Sequence, residues 1–150
     1  VYGLKVTSDA GNQTFAETGL QEGDNVTLIG RRSSHNNTPQ VGSAYYAAKK
    51  VTLAEFVAAE VDDNQLYELT GTIFDLYNTE YGNFHFVEGD VDVTIYGMTA
   101  FPIIGEKNDK SFSTLGYAEG DVVTLVGTRD EFNGKIQVGG PSYAVRAKAE

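Results

Sequence analysis

The sequence predicts an all-β protein, a small five-stranded barrel preceded by part of a second copy of the same unit. Three observations carry that expectation. Apolar residues recur at period two in short segments such as Phe84–Phe86 and Val91–Ile95, the spacing that puts one face of a strand inward. Glycine is frequent (17) and proline rare (3), which suits many strands joined by tight turns. Finally, Glu22-Gly23-Asp24-Asn25-Val26-Thr27-Leu28-Ile29-Gly30 returns as Glu119-Gly120-Asp121-Val122-Val123-Thr124-Leu125-Val126-Gly127.

The repeat sets the domain organisation. Its offset is 97 residues, and 16 of the 33 positions from 15 to 47 are identical to their counterparts without a gap. Upstream, Val1-Tyr2-Gly3-Leu4 matches Ile95-Tyr96-Gly97-Met98 with a three-residue change in spacing. A single irregular domain with coincidental turns is the competing reading, and identity at that density disfavours it. Residues 1–50 are expected to be the C-terminal half of a first copy: the end of its third strand, then strands four and five. Residues 51–150 are expected to be a complete copy with a short lead-in helix. The chain is thus expected to begin midway through a copy. A half copy lacks strands one and two, which leaves strand edges and an apolar face uncovered. Docking on the complete barrel, or a homodimer through the half-repeat, is expected to cover them.

Within the complete copy, Thr52-Leu53-Ala54-Glu55 reads as a capping box, in which the threonine hydroxyl and the Glu55 carboxylate satisfy each other's exposed amides. The helix is expected to stop before Asp62-Asp63-Asn64. Leu66–Tyr77 alternates as a long first strand, with Gly71 marking a bulge or bend. Asn78-Thr79-Glu80-Tyr81-Gly82 is a turn. Strands two and three follow, joined at Glu88-Gly89-Asp90, with Phe84, Phe86, Val91, Val93 and Ile95 inward and His85, Asp92, Thr94 and Tyr96 outward. Pro102, Gly105 and Asn108-Asp109 interrupt the pattern, and Ser111–Leu115 suggests a helical turn. Strand four runs from Val122 to Arg129, Asn133-Gly134 turns the chain, and strand five runs from Lys135 to about Ala147.

A three-strand meander, a long connection and a hairpin is the order of an OB-like Greek-key barrel. A five-stranded SH3-like barrel is the competitor, and the long, partly helical third connection favours the OB order. The strings Tyr67–Ile73, Tyr81–Phe84, Ile95-Tyr96-Gly97, Glu119-Gly120-Asp121 and Gln137-Val138-Gly139-Gly140 resemble OB-like repeat domains of bacterial cell-envelope and secreted lipoproteins. The resemblance implies tandem copies, an extracytoplasmic location and neighbours such as nuclease- or phosphatase-type or carbohydrate-active modules. It carries no catalytic residues over. The hairpin Glu88-Gly89-Asp90 is shorter and more acidic than the resemblance implies.

Charge narrows the functions. Eleven basic against 21 acidic residues give −10 and a pI near 4.5. Such a field repels phosphate backbones and anionic membrane surfaces. With no cysteine, disulfides, thiol catalysis and cysteine-ligated zinc are excluded. No apolar run reaches the ~20 residues a bilayer span needs, so no membrane insertion is expected, and any signal peptide is expected to lie outside residues 1–150. The acidic groups Glu60/Asp62/Asp63 and Glu88/Asp90/Asp92 lack the spacing of a calcium loop. His35 and His85 fall on different elements, too few for zinc, and no Gly-x-Ser-x-Gly elbow occurs. No metal, no cofactor and no catalytic residue is expected.

What remains is binding. OB-like barrels take ligands across strands two and three, flanked by the loops between strands one and two and between four and five. Those positions correspond to Tyr81, His85, Thr94, Tyr96, Arg129, Phe132 and Lys135. Four acids interleaved with them (Glu80, Asp92, Asp130 and Glu131) make a poor phosphate groove. The expected role is a non-catalytic extracytoplasmic adaptor that recognises a glycan or protein partner, or spaces other modules. Single-stranded nucleic-acid binding through the same face is the alternative, and an accessory role beside a secreted nuclease or phosphatase is the third. Arg32/Arg129 and Gln40/Gln137 repeat between copies, and the simplest reading makes them strand-end residues that satisfy loop carbonyls.

Overall fold

The structure, a computed structural model, describes residues 1–5, 15–101 and 108–149, so the interruptions expected at Pro102 and Gly105 lie outside the described residues. The chain divides into two compact units, Val1–Lys50 and Val51–Glu150.

In the first unit, β2 (Val26–His35) and β3 (Thr38–Lys50) form an antiparallel hairpin. Asn36 and Asn37 close it with positive φ at both central residues (49° and 64°), the turn geometry whose twist matches that of paired strands. β1 (Leu4–Lys5) runs parallel to β3, with Leu4 opposite Ala44. Leu4, Ala44 and Tyr46 are buried, with Leu20, Val26, Leu28 and Val41 partly buried against them.

The second unit opens with α1 (Leu53–Ala58). Its capping box is complete: Glu55 N–H donates to Thr52 Oγ1 at 3.1 Å, and Thr52 N–H donates to Glu55 Oε1 at 3.2 Å. A third acceptor comes from far along the chain, since Leu53 N–H donates to Glu88 Oε2 at 2.6 Å. The helix buries Leu53 and Phe56, and the Phe56 ring meets Tyr67 edge-on at 5.5 Å.

The barrel follows. β4 (Asp62–Asn78), β5 (Asn83–Glu88), β6 (Val91–Ile95), β7 (Val122–Phe132) and β8 (Lys135–Ala144) pair in the order β4-β5-β6-β8-β7, and β7 returns to β4 to close the sheet. Every pair is antiparallel except β6 with β8. This is the OB-like Greek-key order expected above. Leu69, Ile73, Phe84, Phe86, Val93, Ile95, Val123, Leu125 and Val138 point into one buried core, capped by Met98, Phe112 and Leu115.

β4 serves two partners: Leu66–Thr72 pair with β7, and Thr72–Phe74 pair with β5. At the changeover, a Cβ on Gly71 would lie 2.8 Å from Val87 O and 2.9 Å from the Phe86 ring, so only glycine lets β5 come this close. The register with β7 stays regular through Gly71. The irregularities fall instead between Asp62 and Leu66 and between Phe74 and Asn78, where Asp75 has φ 48°. The first irregularity explains why the strand begins at Asp62 rather than at Leu66: the Asp-Asp-Asn stretch is taken up as a slip in the ladder. β7 extends past Arg129 to Phe132 because the turn at Asn133 (φ 52°) and Gly134 (φ 74°) keeps Phe132 paired with Lys135. β8 ends at Ala144, short of Ala147, as the chain leaves to make Lys148 N–H donate to Leu115 O at 2.8 Å.

Several local contacts occur in both units. Tyr2 N–H donates to Val41 O at 3.1 Å, and Tyr96 N–H donates to Val138 O at 3.2 Å. The Asp24 carboxylate accepts from Gln21 N–H at 3.0 Å, and that of Asp121 accepts from Ala118 N–H at 2.8 Å. Lys148 beside Asp121, and then the Ala118 amide, hold that carboxyl below its ordinary range. Among the described residues, no helix is long and apolar enough to cross a membrane.

Candidate ligand-binding face

The outer surface of β4, β5 and β6 brings an imidazole, carboxylates and aromatic rings together. Its centre is His85, directly opposite Thr94 across the β5–β6 ladder and opposite Phe74 across β4–β5. Thr94 in turn lies opposite Gln137 on β8. The alternation that buries Phe84 and Phe86 forces His85 outward, and the one that buries Val93 and Ile95 does the same for Thr94 and Tyr96.

Two carboxylates flank the imidazole. Nδ1 lies 3.2 Å from Asp92 Oδ1, within hydrogen-bonding distance, and Nε2 lies 3.9 Å from Asp75 Oδ2. The Tyr77 ring centroid lies 6.2 Å from that of His85. Partial burial raises the Tyr77 phenol above its ordinary value, with the Asp75 charge and then Tyr96 adding to the rise. Phe74, Tyr77 and Tyr96 are all largely exposed, Tyr96 by 65 %. The face therefore offers aromatic rings, an imidazole, a hydroxyl, an amide and two carboxylates.

Of the residues expected to bind, His85, Thr94 and Tyr96 belong to this face. Tyr81 is tied to the β4–β5 turn: its N–H donates to Asn78 Oδ1, its carbonyl accepts from Met98 N–H, and the Lys110 ammonium lies 5.6 Å from its ring centroid. Glu80 pairs with Lys110 at 3.2 Å and raises the ammonium's pKa, so this corner is already neutralised. Phe132 and Lys135 face each other across the β7–β8 hairpin, both exposed. Arg129, also expected to bind, is buried. It is 4 % exposed, and its guanidinium donates to Asp130 O, Val57 O and Glu131 Oε1 at 3.1, 3.4 and 3.2 Å. Its guanidinium is thus engaged by a carbonyl of α1, a carbonyl of its own strand and the Glu131 carboxylate, which fits the simpler reading of Arg129 as a residue that satisfies backbone carbonyls near the strand end.

Phe74 and Asp75 were not expected here. Strict alternation from Leu69 and Ile73 puts position 75 inside, and the slip at Asp75 turns two successive side chains to the surface. An aspartate at a nominally inward position was the available signal. The acidic hairpin also divides, with Glu88 turned to the α1 amide and Asp92 to His85. Among the described residues, no three His or carboxylate groups stand close enough to hold a metal ion.

The closed barrel and its strand order define the chain's larger unit as an OB-like barrel. No family model matches the chain, and no curated protein matches it. Among solved structures it is similar to the hypothetical protein ygiW from E. coli, with 12 % identity and a TM-score of 0.45, over 65 % of this chain and 91 % of that one.

Proposed function

We propose that the protein is a non-catalytic, extracytoplasmic binding module whose β4–β5–β6 face recognises a neutral glycan. The observation that carries the reading is the His85 cluster: exposed aromatic rings beside an imidazole hydrogen-bonded to Asp92 and flanked by Asp75. Ring faces of Tyr77 and Tyr96 offer apolar platforms for the C–H faces of a sugar, while Asp75, Asp92 and Gln137 offer acceptors and donors to hydroxyls. OB-like barrels use this face for oligosaccharides and oligonucleotides alike. The carboxylates favour the former, since a phosphate chain meets repulsion here and Arg129 is buried. The extracytoplasmic placement follows the resemblance to envelope repeat domains. The contacts common to both units support reading residues 1–50 as the latter half of a second copy.

The test is a backbone NMR titration with neutral β-linked glucose and N-acetylglucosamine oligosaccharides. Shifts are expected to concentrate at Tyr77, His85, Thr94 and Tyr96, and Tyr96→Ala is expected to weaken binding by about tenfold, roughly 1.4 kcal/mol, with the Tm unchanged. Binding confined to an oligonucleotide, with shifts at Phe132 and Lys135, would replace this reading with the nucleic-acid one.

A further inference from the structure

The first unit carries an apolar cleft of about 410 Å³ lined by Leu4, Phe15, Leu20, Val26 and Leu28. Beside it runs an open strand edge: among the described residues β2 pairs with β3 alone, whereas its counterpart β7 has β8 on one side and β4 on the other. The repeat relates the lining to the barrel residue by residue. Leu4 corresponds to Met98, Phe15 to Phe112, Val26 to Val123 and Leu28 to Leu125. All four barrel residues are buried in the core, Phe112 to 3 % exposure, while Phe15 is 49 % exposed and Val26 and Leu28 are only partly covered.

What covers the barrel residues is known within the same chain. Leu69 and Ile73 of β4 and Phe84 of β5 share their core, and the Phe84 and Phe112 ring centroids lie 6.4 Å apart. Ile73 also exchanges backbone hydrogen bonds with the Gly120–Asp121 turn, donating to Asp121 O at 2.9 Å and accepting from Gly120 N–H at 2.8 Å. Glu22-Gly23-Asp24 repeats that turn in the first unit.

We propose that the β2 edge and its cleft are a receptor for one kind of polypeptide: the first half of a further copy of this repeat, a segment like residues 51–94, entering by strand addition. The inference rests on reading residues 1–50 as the latter half of a second copy. It continues the β4–β7 interface of the complete barrel onto β2, and it sets the sequence of the occupant. Large apolar residues are needed at the positions of Leu69, Ile73 and Phe84. Glycine is needed at that of Gly82, where a Cβ would lie 2.5 Å from the Phe112 ring, so that Phe15 finds the same room.

The experiment joins a second copy of residues 51–94 directly to Val1, which aligns with Ile95. Amide exchange at Val26–Ile29 is expected to slow by roughly a hundredfold or more, toward that of Val123–Val126, in a monomer. Gly82→Val in the added copy alone is expected to abolish the slowing and leave the resident barrel unchanged. No slowing with the unmodified added copy overturns the proposal, and so does equal slowing of the unextended chain by self-association, which would assign the surface to a second copy. The half-copy reading is checked separately in the unextended chain. Nuclear Overhauser contacts between Tyr2 and Val41 and between Val26 and Lys49 support it, and their absence sinks it whatever the added segment does.

Discussion

At Gly82 two demands meet in one residue. Its φ is +76°, and its missing side chain is where the Phe112 ring packs, 2.5 Å from an ideal Cβ. Alanine there incurs left-handed strain and overpacks an aromatic that cannot easily retreat, because Phe112 is buried against Phe84. Gly82→Ala is expected to cost about 2–4 kcal/mol, lowering the Tm of the barrel by roughly 10 °C or more, as read by calorimetry. A Tm within a few degrees of the parent would mean that Phe112 is not held by the core. His85 shows a different residue-scale lesson. Its outward position and that of Asp92 were legible from alternation, but the approach of Asp75 was not, because it depends on a slip that leaves no period in the sequence.

The element that sequence reading captured most fully is α1, because a capping box is local chemistry. Thr52 and Glu55 need only each other, so their spacing suffices to place the helix start. The Glu88 carboxylate on Leu53 N–H was not legible, since it arrives from 35 residues away once β5 has folded. It also moderates the cap's importance. Thr52→Ala removes the acceptor of Glu55 N–H but leaves the Leu53 amide satisfied, so the expected loss is about 1 kcal/mol, measured by urea denaturation. Strand interiors were readable for the same reason as the cap: inward Phe84, Phe86, Val93 and Ile95 follow period two without help from the rest of the chain. Strand ends were not, because partners elsewhere set them, as Lys135 does for Phe132 and Leu115 does for the segment after β8. Arg129 belongs with the ends. A basic residue leading into a hairpin looks available until its neighbours' carbonyls are in place.

For the whole molecule, charge decides which partners can approach. A net −10 repels nucleic acid at range, and in the barrel Arg129 is buried, Lys110 is paired and Lys135 stands at a hairpin tip. Fluorescence polarisation with a labelled single-stranded oligonucleotide is expected to show no binding tighter than about 100 µM at physiological salt. Micromolar affinity that falls steeply with salt would contradict it. The strand order bears on how the second unit comes to exist at all. β4 is made first and finished last: Leu66–Gly71 wait for Val123–Thr128 before their ladder with β7 can form, while Thr72–Phe74 pair with β5. A chain cut anywhere before Val122 therefore retains a meander that can form its own ladder but has no lid for Leu69 and Ile73. Assembly of this unit should hence be all-or-none with respect to its last hairpin, and synthesis arrested in the long third connection should yield a product prone to sticking to others through the free side of β4.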